Sequence, residues 1–208
     1  MRFKEFYLTE NVSSLKNAVI SLLSSWGKHP IMYRAFDNDQ PIVKIDNSSR
    51  NPENIKFHRN GTLQSTVLQG LRVKNPVFAT VKKPESPTHW QFGTVNILVP
   101  PSGCKPIWNP MVFDLGMGHG YMDMDLNDVD PKEIIDGYEQ GVPNTHSRNE
   151  IILDCPYYYL LNLEAFLNML GGDVFSVNEP DYKIISDEVL DRMNTYDDVI
   201  KVLNSTPS

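Results

Sequence analysis

The chain has 208 residues, of which 40% are hydrophobic and 22% charged, a balance typical of a globular protein and too apolar for intrinsic disorder. Its formal net charge is -7, so its surface as a whole repels phosphate backbones, which disfavours direct nucleic-acid binding. No apolar run approaches the ~20 residues that a membrane-spanning helix needs, and the two cysteines, Cys104 and Cys155, form no C-x-x-C pair, which favours free thiols over a disulfide framework.

The start of the chain predicts a polar segment followed by a helix. Residues 1–10 are polar and charged and contain no apolar core of a secretory signal. From Val12 to Trp26, apolar residues recur at spacings of three and four, which is the pattern of one helix face. Gly27 and Pro30 follow as stop signals. We therefore expect a helix that packs against a sheet.

The next segments alternate between strand-like and polar patterns. Strands are predicted at 31–36 and 42–45. The stretch 47–61 is rich in Asn, Ser, Pro and Gly and is predicted to be a loop. A short helix over 62–71 and a β-branched and aromatic strand over 77–81 follow.

The middle of the chain contains the clearest strand pattern, over 92–99, which ends at Pro100. A further strand is predicted at 111–115, and the glycines that follow it predict a flexible turn over 116–120. Asp130 and Pro131 predict the start of a helix that runs to about residue 140.

The last part of the chain predicts two more strands, at 150–153 and 157–161, and a helix at 163–170. A helical stretch begins at Ser186 and is expected to break near Asn194. Because strands and helices do not alternate regularly along the chain, an α+β fold is favoured over a doubly wound α/β fold.

The sequence lacks the common metal-binding and nucleotide-binding signatures. The acidic run from Asp123 to Asp130 resembles half a calcium loop, but loop positions six and twelve are Asp128 and Ile134 instead of Gly and Glu. The five histidines form no pair at metal-ligand spacing, and there is no P-loop, nucleophile elbow or dinucleotide fingerprint. No metal site is predicted.

Three predicted strand segments contain, in order, an arginine, a hydroxyl residue and a glutamate that are candidates for a catalytic site. The first contains Tyr33 and Arg34, the second ends with Thr80, and the third opens with Glu150 followed by aliphatic residues. This order resembles the R-S-E arrangement of ADP-ribosyltransferases, and of phage members in particular. The resemblance covers roughly residues 31–165.

The resemblance implies a split mixed β-sandwich flanked by helices, with NAD as the substrate. Arg34 would hold the NAD phosphates and the ribose, because a guanidinium offers a planar, permanently charged fork to phosphate. Glu150 would stabilise the oxocarbenium-like state that forms when the nicotinamide–ribose bond breaks. Thr80 would bond to Glu150 or to the ribose and fix the carboxylate rotamer.

Three aromatic residues are candidates for stacking on nicotinamide, namely Tyr33, Trp90 and Phe92. The segment around Trp90 and Phe92 also resembles phage members. Arginine-modifying members place Glu or Gln two residues before the catalytic Glu, whereas this chain has Arg148 there. Another acceptor residue, simple NAD hydrolysis and an inactive enzyme therefore remain open alternatives.

The opening segment carries a second resemblance, to the capsid-targeting sequence of internal head proteins in T-even-like phages. Leu8-Thr9-Glu10 matches the aliphatic-x-Glu site that the prohead protease cuts. The expected organisation is a cleavable leader, 1–10, followed by one ADP-ribosyltransferase-like domain, 11–208, with a C-terminal helical extension.

The two resemblances together predict a mono-ADP-ribosyltransferase that is packaged in the virion and delivered to the host cytoplasm. Its partners would be a host protein acceptor and the phage capsid or prohead protease, with no membrane and no direct nucleic-acid contact. Two alternatives stay open. One is a non-enzymatic internal head protein that inhibits a host defence enzyme, and the other is an inactive virion protein with the same fold.

Overall fold

The computed structural model describes residues 12–36, 40–52, 61–81, 95–108, 113–114, 119–120, 130–139, 150–171 and 193–206. The helices in these ranges are α1 (Val12–Ser24), α2 (Gly61–Gly70), α3 (Pro131–Glu139), α4 (Leu163–Met169) and α5 (Tyr196–Ser205). The strands are β1 (Met32–Ala35), β2 (Ile42–Asp46), β3 (Pro76–Thr80), β4 (Val95–Val99), β5 (Pro106–Trp108), β6 (Phe113–Asp114), β7 (His119–Gly120), β8 (Glu150–Asp154) and β9 (Tyr157–Leu161).

Local sequence accounts for where several of these elements form. In α1, Val19 and Leu23 are four residues apart and both are buried, so one face of the helix packs on the sheet. Asn162 caps α4, because its side-chain oxygen accepts a hydrogen bond of 3.1 Å from the Ala165 N–H. None of the helices within the described ranges has the length and apolar character needed to traverse a bilayer.

Seven strands form one sheet in the order β2-β9-β4-β1-β3-β8-β5, and every pairing in it is antiparallel. β6 and β7 pair with each other separately. Helices combined with an antiparallel sheet confirm the α+β class. The expected mixture of parallel and antiparallel strands is wrong for the described strands, because each of them runs opposite to its neighbours.

The seven-stranded sheet is folded between β1 and β3. These strands share one residue pair, Tyr33 opposite Thr80. In a flat sheet, β8 and β9 would lie four strand spacings apart, about 19 Å. Only Cys155 and Pro156 separate these two strands along the chain, and three residue steps reach at most about 11 Å. The two edges of the sheet must therefore turn toward each other.

Hydrogen bonds from Asn47 hold this folded arrangement. Asn47 follows β2 at one edge of the sheet, and its Nδ2 donates to the carbonyl oxygens of Cys155 at 2.9 Å and Asn75 at 3.1 Å. Cys155 follows β8 and Asn75 precedes β3, so both acceptors belong to the other half of the sheet. One buried side chain thus connects the two halves.

Two apolar clusters cover the sheet. The larger one combines strand residues with α1, α4 and α5 and includes Leu23, Leu98 and Phe166, all fully buried. The smaller one joins α2 and α3 to β8 through Val67, Ile134 and Ile152. The helices therefore pack against the sheet in two separate groups.

Most predicted elements lie within two residues of the observed ones, but two predictions differ. Residues 116–120 were expected to form a turn, whereas His119 and Gly120 pair as β7 with β6. β5 was not predicted, because three residues beginning with Pro106 are too few to show an alternating pattern. The predicted leader, 1–10, and the helical start at Ser186 lie outside the described residues.

Candidate functional site

The pairing of β1, β3 and β8 places three of the predicted site residues in one row. Thr80 lies directly opposite Glu150 on β8, and Tyr33 lies directly opposite Thr80 on β1. Directly opposed residues in antiparallel strands point to the same face, with Cα atoms about 5 Å apart. The structure thus brings the predicted hydroxyl and the predicted carboxylate together on neighbouring strands.

Glu150 is nearly inaccessible to solvent, with 2% of its surface exposed. It opens β8, whose next three residues are apolar and completely buried, so the strand anchors the carboxylate in the core. Charged side chains are rarely buried in this way unless polar groups surround them, and both Glu150 and Thr80 make polar contacts. A carboxylate held in such a site interacts strongly with any positive charge that develops nearby.

Arg34 lies next to Tyr33 on β1, at the point where β1 and β3 separate. Its Nη1 donates a hydrogen bond to the carbonyl oxygen of Phe78 on β3. Its guanidinium carbon also lies 5.7 Å from the centre of the Tyr158 ring. Side chains alternate along a strand, so Arg34 leaves β1 on the side opposite to Tyr33. Arg34, Thr80 and Glu150 therefore lie on adjacent strands, and the Arg34 side chain leaves β1 on the side opposite to Tyr33.

A second arginine, which the sequence did not single out, lies beside Arg34. Arg50 follows β2, and its guanidinium carbon is 5.9 Å from the centre of the Phe78 ring. Burial, together with the neighbouring positive charge of Arg34, lowers the pKa of Arg50. Arg50 belongs to a stretch whose composition indicates only a loop, and no sequence motif marks it. It comes close to Arg34 only through the fold of the sheet, which the local sequence does not show.

The structure describes only one of the three aromatic residues that were predicted to stack on nicotinamide. Tyr33 is 7% exposed and packs within the larger apolar cluster, so in this structure its ring is part of the core. Trp90 and Phe92 lie outside the described residues. Phe78 and Tyr158, which were not proposed as site residues, are the rings next to the two arginines.

The cysteines form a separate pair. Cys104 and Cys155 are free, and their Sγ atoms are 2.8 Å apart. Burial raises the pKa of both thiols, so both are protonated at neutral pH. Within the described ranges, no group of three His, Cys, Asp or Glu side chains is arranged to hold a metal ion.

The arrangement as a whole places a buried carboxylate beside a hydroxyl, with two guanidinium groups and two aromatic rings nearby. Such a set is suited to hold an anionic ligand at one end and to stabilise a developing positive charge at the other. Comparisons with protein-family models, with curated proteins and with solved structures find no match to this chain.

Proposed function

We propose that this protein is a mono-ADP-ribosyltransferase that uses NAD as its substrate and modifies a host protein. The observation that carries the proposal is the direct pairing of Thr80 with Glu150, with Arg34 on the adjoining strand. Each of these three residues was identified from motif order in the sequence alone. Their position on three neighbouring strands supports the R-S-E resemblance.

The chemistry follows from the nature of the bond that breaks. The bond between nicotinamide nitrogen and the ribose anomeric carbon breaks, and its electron pair leaves with nicotinamide. The ribose then carries an oxocarbenium-like positive charge, which Glu150 stabilises as a buried carboxylate. A nucleophile on the acceptor protein forms the new bond to the anomeric carbon and releases its proton.

Thr80 and Arg34 have supporting roles in this reaction. Thr80 is directly opposite Glu150, so its hydroxyl is within reach of either the carboxylate or a ribose hydroxyl. Arg34 offers permanently charged donors to the NAD phosphates. The identity of the acceptor depends partly on residue 148, and Arg148 lies outside the described residues.

The folded sheet also supports the proposal. The bend between β1 and β3 divides the seven strands into a group of four, β2-β9-β4-β1, and a group of three, β3-β8-β5. We propose that these groups correspond to the two halves of an ADP-ribosyltransferase-like split β-sandwich. We further propose that residues 1–10 are a capsid-targeting leader, so that the enzyme travels in the virion and acts in the host cytoplasm.

The test is release of nicotinamide and transfer of labelled ADP-ribose from NAD to proteins of a bacterial lysate. Glu150→Gln keeps the shape of the side chain and removes its charge, so we expect a loss of about 10²–10³-fold or more in both rates. The matched control is Glu139→Gln, which makes the same change on the exposed face of α3 and should leave the rates unchanged.

Both variants should keep the wild-type melting temperature within a few degrees, which separates loss of catalysis from loss of folding. If wild-type protein neither releases nicotinamide nor labels any lysate protein, the transferase proposal is wrong. If Glu150→Gln is as active as wild type, then this carboxylate is not the catalytic group.

A further inference from the structure

We infer that Arg34 and Arg50 together form a binding site for a diphosphate group, in which Arg50 supplies the second guanidinium. Arg34 comes from β1 and Arg50 from the segment after β2, so the site exists only in the folded protein. Its assignment to the diphosphate of NAD rests on the proposed function. The recognition of a diphosphate as such rests on the two arginines alone.

The positive charges of Arg34 and Arg50 are not neutralised by the described acidic side chains. Arg34 and Arg50 are both half-buried, and each lies close enough to the other for its charge to act on its neighbour. No acidic side chain among the described residues forms an ion pair with either of them. Two like charges in a partly desolvated place repel each other, and a bound dianion would remove that repulsion.

The two arginines also have hydrogen-bond donors to offer a ligand. A guanidinium has five N–H donors. Arg34 uses one of them on the carbonyl oxygen of Phe78, and its buried Nε has no hydrogen-bond partner within the described part of the chain. The described residues accept no hydrogen bond from the Arg50 guanidinium either. The pair therefore retains more donors than one phosphate group needs for bidentate contact.

Neighbouring aromatic rings hold the two guanidinium groups in place. The Tyr158 ring lies 5.7 Å from the Arg34 guanidinium carbon, and the Phe78 ring lies 5.9 Å from that of Arg50. Arginine stacks on aromatic faces, so these rings restrict the rotamers of both side chains before any ligand arrives. The Arg50 backbone is fixed as well, because its carbonyl oxygen accepts a bond of 3.0 Å from Asn75.

Residues of β3 connect the arginines to Glu150. Phe78 and Thr80 are two residues apart on β3, so their side chains lie on the same face, about 7 Å apart. Arg50 lies next to Phe78, while Glu150 lies opposite Thr80. The row Arg50, Phe78, Thr80 and Glu150 therefore places the Arg50 guanidinium on the same face of β3 as the carboxylate, and Arg34 joins it through its bond to the Phe78 carbonyl oxygen. A dinucleotide presents diphosphate and ribose in the same succession.

The experiment is isothermal titration calorimetry of the full chain with inorganic pyrophosphate at constant ionic strength. Wild-type protein should bind pyrophosphate, and Arg50→Gln should raise its Kd by about tenfold or more, because a charged bidentate contact is lost. The matched control is Arg72→Gln, which removes the same charge from an exposed turn and should change the Kd by less than twofold. Arg50→Lys, which keeps the charge but loses the fork, should give an intermediate Kd.

Each result of the pyrophosphate titration supports or contradicts the two-arginine site. If wild-type protein does not bind pyrophosphate, or if Arg50→Gln and Arg72→Gln bind it equally well, the two-arginine site is wrong. If Arg50→Gln does not fold, as judged by its melting temperature, the Kd of Arg50→Lys relative to wild type decides in its place. Pyrophosphate binding that depends on Arg50, without any competition by NAD, would support the anion site while contradicting NAD as its ligand.

Discussion

The Asp198 side chain stabilises the start of α5 through several hydrogen bonds and an ion pair. Its carboxylate accepts hydrogen bonds from the backbone N–H groups of Asn194 and Thr195, both at 3.1 Å, and from the Thr195 hydroxyl at 2.9 Å. Lys201 adds an ion pair at 2.8 Å. These contacts, with Lys201 first, lower the pKa of Asp198 below its ordinary value of 3.8.

The lowered pKa of Asp198 gives stability a pH dependence with a definite sign. Because the folded pKa lies below the unfolded one, the carboxylate stabilises the fold above about pH 4, and this contribution is lost as the pH falls through the folded pKa. We expect Asp198→Asn to lower the free energy of unfolding by about 1 kcal/mol at pH 7.

Urea unfolding at a series of pH values checks this expectation. The difference between wild type and Asp198→Asn should shrink as the pH is lowered below about 4. Asp136→Asn, an exposed position on α3, is the control and should match wild type at every pH. A difference that stays constant down to pH 2 would contradict the role of the ionised carboxylate.

At the scale of elements, two asparagines join the ends of three strands. Besides the bonds that Asn47 donates to the other half of the sheet, Asn75 donates from its own Nδ2 to the carbonyl oxygens of Ser48 at 3.1 Å and Arg50 at 3.0 Å. The Asp154 side chain accepts from the Asn75 N–H at 2.7 Å. The segment that carries Arg50 is thus tied to β3 and β8.

We expect Asn47→Ala to lower the free energy of unfolding by about 2 kcal/mol, because it removes the Nδ2 donor from the buried Cys155 carbonyl oxygen and one of the two bonds to the Asn75 carbonyl oxygen. Urea unfolding measures this loss. The control is Asn17→Ala on the exposed face of α1, which should change stability by less than about 0.5 kcal/mol. Equal stability of the two variants would show that Asn47 does not hold the folded sheet.

The second contact between elements is the cysteine pair, which joins the β4–β5 connection to the β8–β9 corner. The Sγ atoms need to approach by less than 1 Å to reach the ~2.05 Å of a disulfide. Disulfide formation between Cys104 and Cys155 should be slow at neutral pH and faster above pH 9. Only a thiolate can attack, and burial raises the pKa of both thiols.

We expect oxidised dithiothreitol to form this disulfide. A Cys104 thiolate attacks the reagent, Cys155 displaces it, and the reagent leaves as its dithiol. Closing a loop of ~50 residues should stabilise the fold by up to about 4 kcal/mol, seen as a higher melting temperature that reductant reverses. Cys104→Ser is the control and should show no such rise. If wild type gains no stability after full oxidation, the pair does not close without strain.

At the scale of the whole molecule, the sequence predicts local elements well and their assembly poorly. The strands at 150–153 and 157–161 were predictable because apolar and aromatic runs are local signals. The strand order and the bend between β1 and β3 were not, because they depend on pairings between distant residues. The same distinction holds for the candidate site. The order of Arg34, Thr80 and Glu150 is visible in the sequence, but Arg50 joins them only through the fold.

The two ends of the described chain also meet only in the fold. Lys16 on α1 donates from Nζ to the carbonyl oxygen of Thr206 at 2.6 Å, and the N–H of Asp197 on α5 donates to the carbonyl oxygen of Gly27 at 2.8 Å. α5 also buries Tyr196 completely against β1 and β4, where its hydroxyl bonds to the backbone of Met32 and Leu98. The last helix is therefore part of the core.

Because α1 and α5 are in contact, we expect that a circular permutant of residues 12–206 keeps the fold. Val12 is about 6 Å along the helix axis from Lys16, whose extended side chain reaches the Thr206 carbonyl oxygen, so we expect a Gly-Ser linker to be able to join Val12 to Thr206. New ends can then be opened between Ser102 and Gly103, an exposed turn where a Cβ on Gly103 would meet no atom within 4 Å. Such a circular permutant would begin with β5 and end with β4, and it would keep β1, β3 and β8 in their present register.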